Sequence, residues 1–175
     1  MTRKAAASIA GVAIVAALAV GSVARSETDS AKGVITSTQD IKWAAAPASL
    51  PCCAEAALLY GDPAKEGLFA LRVRIPKDYY IPPHTHPNAE VVTVLTGKFS
   101  LGMGPKADRA SARPIGAGGF MAMPPQTPHY VFSDEETVLQ ITSVGPWGID
   151  YVDPKDDPRL NIAPVQKGGS AQRQE

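Results

Sequence analysis

Two histidines and a carboxylate stand close together in PHTHPNAEVVTVLTG, residues 83–97. His84 and His86 are two apart, so in an extended strand both rings project from one face. Glu90, at an even offset, returns to that face after a Pro87-Asn88 turn. Imidazole with carboxylate suits divalent metals from manganese to zinc, and one ion needs more ligands than this stretch supplies. The remaining histidine of the chain, His129, lies in GGFMAMPPQTPHYVFS, where an apolar run at 120–123 meets a Pro-rich turn and a further strand begins. A lone histidine is more often a surface or satisfied core residue than a ligand. Here all three fall beside expected strand ends, and metal ligation accounts for the set.

These residues resemble the cupin superfamily, whose first motif runs G-x5-H-x-H-x3,4-E-x6-G and whose second runs G-x5-P-x-G-x2-H-x3-N. His84, His86, Glu90 and Gly97 match the first; Gly118, Pro124 and His129 match the second. Asp78 and Gln126 stand where the motifs have Gly, and Ser133 stands for the final Asn, so the departures touch turns and spare the ligands. The resemblance spans roughly residues 54–151. The stretches LLYGDPAKEGLF and GPWGIDYVDPKDDPR look like a group of small exported single-cupin proteins.

The resemblance implies an all-β, double-stranded β-helix (jelly-roll) barrel whose two sheets bring the HTH strand and the His129 strand together in the barrel mouth. It implies one divalent transition metal (Fe, Mn, Zn, Ni or Cu) held by His84, His86, Glu90 and His129. With coordination positions left open, water or substrate can bind, and Glu90 can leave the ion and act as the catalytic base. The expected function is a metal-dependent enzyme of dioxygenase, decarboxylase or isomerase type, acting on a small oxygen-rich molecule that chelates the ion; a dioxygenase-like oxidoreductase is one such form. The alternative is a non-catalytic metal- or ligand-binding module. A pocket sealed by Phe120, Met121 and Met123 would favour the module, and an open, water-lined mouth the enzyme. Candidate substrate-pocket residues are Tyr80, Phe120, Met121, Met123, Tyr130 and Gln140, each weighed against simple filling of the barrel interior. Gln140 stands out because an amide in an apolar strand needs a partner.

The elements that must position these groups read as strands. Residues 56–60 form an apolar run that stops at Gly61-Asp62-Pro63; residues 68–75 alternate, with Phe69, Leu71, Val73 and Ile75 on one face and Arg72 and Arg74 on the other. Strands are expected at 80–83, 91–95, 98–103, 112–115, 120–123, 129–132 and 138–144, with 98–103 the hairpin partner of 91–95 across Gly97. Asp134-Glu135-Glu136 reads as a solvated hairpin turn, and Trp147 as a packing residue at the barrel end. No stretch carries a long 3.6-residue apolar period, which excludes a helical fold.

Residues 1–24 read as a secretory signal, with Arg3 and Lys4 before an uncharged run and a Ser22-Val23-Ala24 cleavage site. A membrane anchor is the alternative, against which the Ala-rich run is short. The expected location is periplasmic or secreted, with no membrane attachment after cleavage. The 17 basic and 17 acidic side chains balance, and loss of Arg3 and Lys4 leaves two negative charges in excess, so nothing invites nucleic acid. The expected divisions are a signal peptide (1–24), a flexible or edge-covering N-terminal arm (25–50) that Ile41 and Trp43 could dock, a cupin domain (51–153) and a disordered C-terminal tail (154–175). Residues 41–50 could also supply an edge strand to a homodimer. Cys52 and Cys53 are adjacent, and the pair reads as two thiols in a turn, as a strained vicinal disulfide, or as a site of intermolecular or metal chemistry.

Overall fold

Alternation in the sequence becomes a succession of strands. A computed structural model of the chain describes residues 33–160. The expected signal segment (1–24), the first part of the arm (25–32) and the end of the tail (161–175) lie outside the described residues. The strands are β1 (Ala44–Ala45), β2 (Glu55–Tyr60), β3 (Gly67–Ile75), β4 (Tyr79–Thr85), β5 (Glu90–Thr96), β6 (Lys98–Met103), β7 (Arg113–Gly116), β8 (Phe120–Met123), β9 (His129–Ser133), β10 (Thr137–Gly145) and β11 (Asp150–Tyr151). They form two antiparallel sheets, in the orders β1-β2-β3-β10-β5-β8 and β11-β4-β9-β6-β7. Consecutive strands from β3 to β6, and from β8 to β11, alternate between the sheets. This is the all-β jelly roll, and its core is filled from both sides by Phe69, Leu71, Val73 and Ile75 of β3, Val92 and Val94 of β5, Phe99 and Leu101 of β6, and Leu139 and Ile141 of β10. Each such side chain contributes about 1.5–3 kcal/mol on burial.

The alternation corrects one expected pairing. β5 and β6 are not a hairpin: β5 pairs with β10 and β8, and β6 with β7 and β9. At Gly97 (φ +74°) the chain crosses from one sheet to the other. A Cβ there would run into the Glu136 carbonyl and approach Thr137 Oγ1 at 2.8 Å, so the crossing requires glycine. The Thr137 hydroxyl donates to Lys98 O (2.9 Å) and accepts from the Lys98 N–H (3.1 Å), tying this crossing to the one between β9 and β10. The exposed Asp134-Glu135-Glu136 turn likewise joins strands of facing sheets rather than closing a hairpin. A tight turn and a crossing have the same local polar signature, which is why strand spacing does not tell them apart.

The described residues at both ends of the domain are tied to the barrel. Ala44 and Ala45 pair with β2, the Ala46 N–H donates to Ala54 O (3.0 Å), and Tyr151 OH donates to Ser49 O (2.8 Å). Trp43 docks as expected, under the Arg74 guanidinium at 4.1 Å. The flexible reading therefore fails for residues 43–50, which cover the β2 edge. Beyond β11, Pro154–Asp156 and Pro158–Leu160 form 3-10 turns, and Arg159 reaches back to Ile149 O (3.0 Å).

Candidate metal centre

Two prolines prepare the site. Pro82 and Pro83 have no N–H to give the β4–β9 ladder, and the register shifts between Ile81 and His84 before pairing resumes with His84 opposite His129. That shift sets the two rings 4.3 Å apart between centroids, with His86, on the same face just past β4, 5.1 and 5.2 Å from them. Glu90 opens β5 in the facing sheet and reaches across: its Oε2 lies 3.5 Å from His86 Nε2 and 3.4 Å from His129 Nε2. All four side chains are buried. The structure thus brings together the four residues expected as metal ligands.

Each imidazole is held by its far nitrogen. The Nδ1–H of His84 donates to Pro82 O (2.7 Å), that of His86 to Gly148 O (2.6 Å) and that of His129 to Thr127 O (2.9 Å). A carbonyl can only accept, so the proton is fixed on Nδ1 and Nε2 faces the centre, the arrangement that orients a metal-binding histidine. The nitrogens the three rings offer lie within 4.8 Å of one another. His86 Nε2 is buried without a hydrogen-bond partner. Two ligands about 2.1 Å from one ion stand at most about 4.2 Å apart, so nitrogens at the full 4.8 Å would close by at least about half an ångström on a bound ion. The residues fit a divalent metal.

Electrostatics agree. Burial, and then the neighbouring His129 and His86, push His84 down to about 3. Burial likewise lowers His86. Burial would raise Glu90 and lower His129, but the hydrogen bond and opposite charge they share outweigh it, lowering Glu90 and raising His129. Burial thus favours neutral imidazoles at His84 and His86, while Glu90 favours a proton on His129, and any such proton would have to leave Nε2 for a divalent cation to bind there.

Several residues that hold the site carry no short-range signal. Gln126 adopts the left-handed conformation (φ +58°) at the motif's glycine position, and Asp78 does so (φ +61°) at the other. These turns keep their backbone without glycine. The Gln126 N–H and Nε2 both donate to His86 O, at 2.9 and 3.2 Å. Asn88 Nδ2 donates to Val144 O (2.9 Å) and Pro146 O (2.8 Å), securing the segment that carries Gly148. Trp147 packs as expected, edge-on to Phe69 at 5.6 Å, but it also stacks on His86 at 4.5 Å and 13°.

A cavity of about 520 Å³ opens onto the four residues. Its wall is mostly apolar, including Leu71, Val73, Val92, Phe99, Met121, Val131 and Ile141, with Lys42 and Ser49 among the few polar members. Of the expected pocket residues only Met121 lines it. Tyr80 stacks on Phe132 outside the barrel (4.9 Å), Phe120 is 62% exposed, and Met123 packs against the core without reaching the cavity. Tyr130 is buried, but beneath the 104–112 loop, where its hydroxyl donates to Asp108 O (3.0 Å). Gln140 Oε1 accepts from Arg72 Nε (3.3 Å), its cross-strand neighbour. The reason is phase: His129 and Val131, Met121, and Leu139 and Ile141 face inward, so Tyr130, Phe120 and Gln140 face out. What the sequence reading missed is the contribution of Lys42, Ala44, Ala45, Pro47, Ser49 and Leu50 to the wall.

Residues 71–145 match a family model described as the cupin domain. No curated protein matches the chain. Among solved structures, the polyketide cyclase RemF from Streptomyces resistomycificus is similar at a TM-score of 0.57 and 17% identity, over 76% of this chain and 95% of that one. A candidate acetylacetone dioxygenase from Methylibium petroleiphilum is similar at 0.57 and 17%, over 73% and 85% of the two chains. An RmlC-like cupin from Shewanella frigidimarina is similar at 0.50 and 15%, over 65% and 91%. At these identities the likeness is one of fold. Motif residues, sheet order and the family match agree: residues 71–145 form a cupin domain within the jelly roll.

Proposed function

We propose that this cupin is a metal-dependent enzyme acting on a small molecule with a chelating oxygen head and an apolar body, of the dioxygenase, decarboxylase or isomerase type. The observation that carries the reading is the convergence of three Nδ1-anchored imidazoles and a buried carboxylate on one end of a 520 Å³ apolar cavity. His84, His86 and His129 would hold the ion, with Glu90 as fourth ligand or as base. Once bound, such an ion supplies a Lewis acid and open positions for substrate oxygens. The histidines orient through their carbonyl anchors, the apolar wall excludes water from the reacting end, and Glu90 Oε2 accepts or returns a proton beside His86 and His129. Neither seal nor water-lined mouth matches the cavity: Phe120 and Met123 do not close it, and its walls are apolar. That apolar lining favours the runner-up, retention of a ligand without turnover.

The test is elemental analysis of untagged wild-type protein beside His84→Ala, His129→Ala and Glu90→Gln. A near-stoichiometric transition metal lost from both histidine variants, and altered in affinity or activity by Glu90→Gln, supports the site. Unchanged metal in both histidine variants ends it. With the metal identified, a 1,3-diketone is the first substrate probe, since two similar folds are named as a polyketide cyclase and a candidate acetylacetone dioxygenase. Binding without turnover across chelating diketones, hydroxy acids and oxo acids would favour the binding module. We also propose export with cleavage after residue 24, supported by the sequence pattern and checked by the mass of the mature protein, and a homodimer, checked by sedimentation.

A further inference from the structure

A second reactive feature lies on the outside of the barrel, where the covering segment turns into β2. Cys52 and Cys53 are both exposed, with Sγ atoms 2.8 Å apart. They occupy the middle of a turn in which Cys53 has φ +78°. That is the left-handed conformation glycine adopts freely and a side-chain-bearing residue adopts at a cost of about 1–2 kcal/mol. The turn is clamped on both sides: Tyr79 OH donates to Pro51 O (2.6 Å), and buried Ala54 accepts from the Ala46 N–H (3.0 Å). Neighbouring backbone is therefore fixed, and the two thiols stay face to face while reduced.

We propose that Cys52 and Cys53 form a reversible two-electron redox site, closing to a vicinal disulfide by exchange with a low-molecular-weight disulfide. One thiolate of the pair attacks a sulfur of the small disulfide, forming a mixed disulfide and releasing one small thiolate. The neighbouring thiol gives its proton to solvent and displaces the second small thiolate. The pair is oxidised by two electrons, and the small disulfide is reduced to two thiols. A charged Cys52 would raise Cys53 through its hydrogen bond and charge, so the protons leave in sequence, as the two displacements require. Adjacent Cα atoms stand about 3.8 Å apart, against roughly 4.4–6.8 Å in ordinary disulfides, so the bond is strained and readily reduced. Such a bond serves as a responsive couple and not as a staple. Leu50, two residues earlier, lines the cavity, so the ring closes at the end of the segment that walls it.

The experiment treats the reduced full chain with oxidised glutathione, quenches in acid and reads intact mass. The expected wild-type product is a monomer lighter by about 2 Da, with no thiol open to maleimide, restored by dithiothreitol. Cys52→Ser and Cys53→Ser should each instead retain one glutathione. Cys53→Gly, which suits the left-handed position, should do the same while melting no lower than wild type. Wild type that keeps bound glutathione, forms disulfide-linked dimers, or retains two labelled thiols overturns the proposal.

Discussion

Trp147→Ala and Trp147→Phe separate two opposing contributions of one ring. Removing a buried Trp to Ala costs about 3–5 kcal/mol through lost transfer energy and cavity. Here the side chain is only partly buried, but it makes two ring contacts, each worth about 0.5–1.5 kcal/mol. Against this, Trp147 Nε1 is buried without a hydrogen-bond partner, which costs about 1–3 kcal/mol that either substitution returns. The balance for Trp147→Ala is a loss of about 2–3 kcal/mol. Trp147→Phe keeps a ring over His86 and removes the orphan N–H, so it should lie within about 1 kcal/mol of wild type. The ring also restrains His86 beside its Gly148 anchor, so Trp147→Ala should weaken metal binding by about tenfold, the scale of lost support behind a ligand, and Trp147→Phe far less. Urea unfolding of chelator-treated protein gives the first comparison, and competition with a chromogenic chelator the second. Equal destabilisation by both substitutions, or one metal affinity for all three proteins, would refute the reasoning.

Acid should unfold the metal-free protein early. His84 sits at about 3 when folded against 6.5 when not, so between those values the unfolded chain holds the extra proton and stability is lost as pH falls, by up to about 1.4 kcal/mol per unit. His86 shifts in the same direction, and the lowered Glu90 adds a loss below about pH 4.5, while the raised His129 loses its contribution only on the alkaline side of 6.5. Melting temperatures of chelated protein should drop from pH 6.5 to 4.5 and drop less in His84→Asn; a flat wild-type profile contradicts this. In Gly102→Ala the new methyl would land on the Tyr130 ring and push its hydroxyl off Asp108 O, costing about 2–4 kcal/mol in urea unfolding, less than additively with Tyr130→Leu. Full additivity would place the clash elsewhere. Gln126→Gly relieves a left-handed side chain (about 1–2 kcal/mol) but loses the Nε2 bond to His86 O and stiffness in the unfolded chain, so calorimetry should find it within about 1 kcal/mol of wild type. A loss above about 2 kcal/mol would make the amide the main support of His86.

The convergence of His84, His86, Glu90 and His129 was legible because its signal is local. His84 and His86 share a face by strand parity, and the Pro82-Pro83 pair that shifts the register is visible beside them. Strand positions were legible for the same reason, down to β7 at Arg113–Gly116. What could not be read was the sheet to which each strand belongs, because β5 followed by β6 looks alike as a hairpin and as a crossing. The pocket residues failed on a related point. Aromatic and amide side chains at Tyr80, Phe120, Tyr130 and Gln140 attract notice by type, but one residue of phase places them outside. Trp147, Gly148 and Asn88 reach the site over long sequence separations, and no short pattern announces them.

The covering segment has a further consequence. Residues 42–50 supply Lys42, Ala44, Ala45, Pro47, Ser49 and Leu50 to the cavity wall, yet they precede the matched region and attach by a two-residue pairing and a few backbone bonds. The candidate ligands and this part of the wall are thus encoded in different stretches of chain. The wall can be reshaped by exchanging nine residues while the strands that carry His84, His129 and Glu90 stay untouched. A graft of this segment between related barrels would carry part of the cavity's shape with it while the histidine cluster stayed behind.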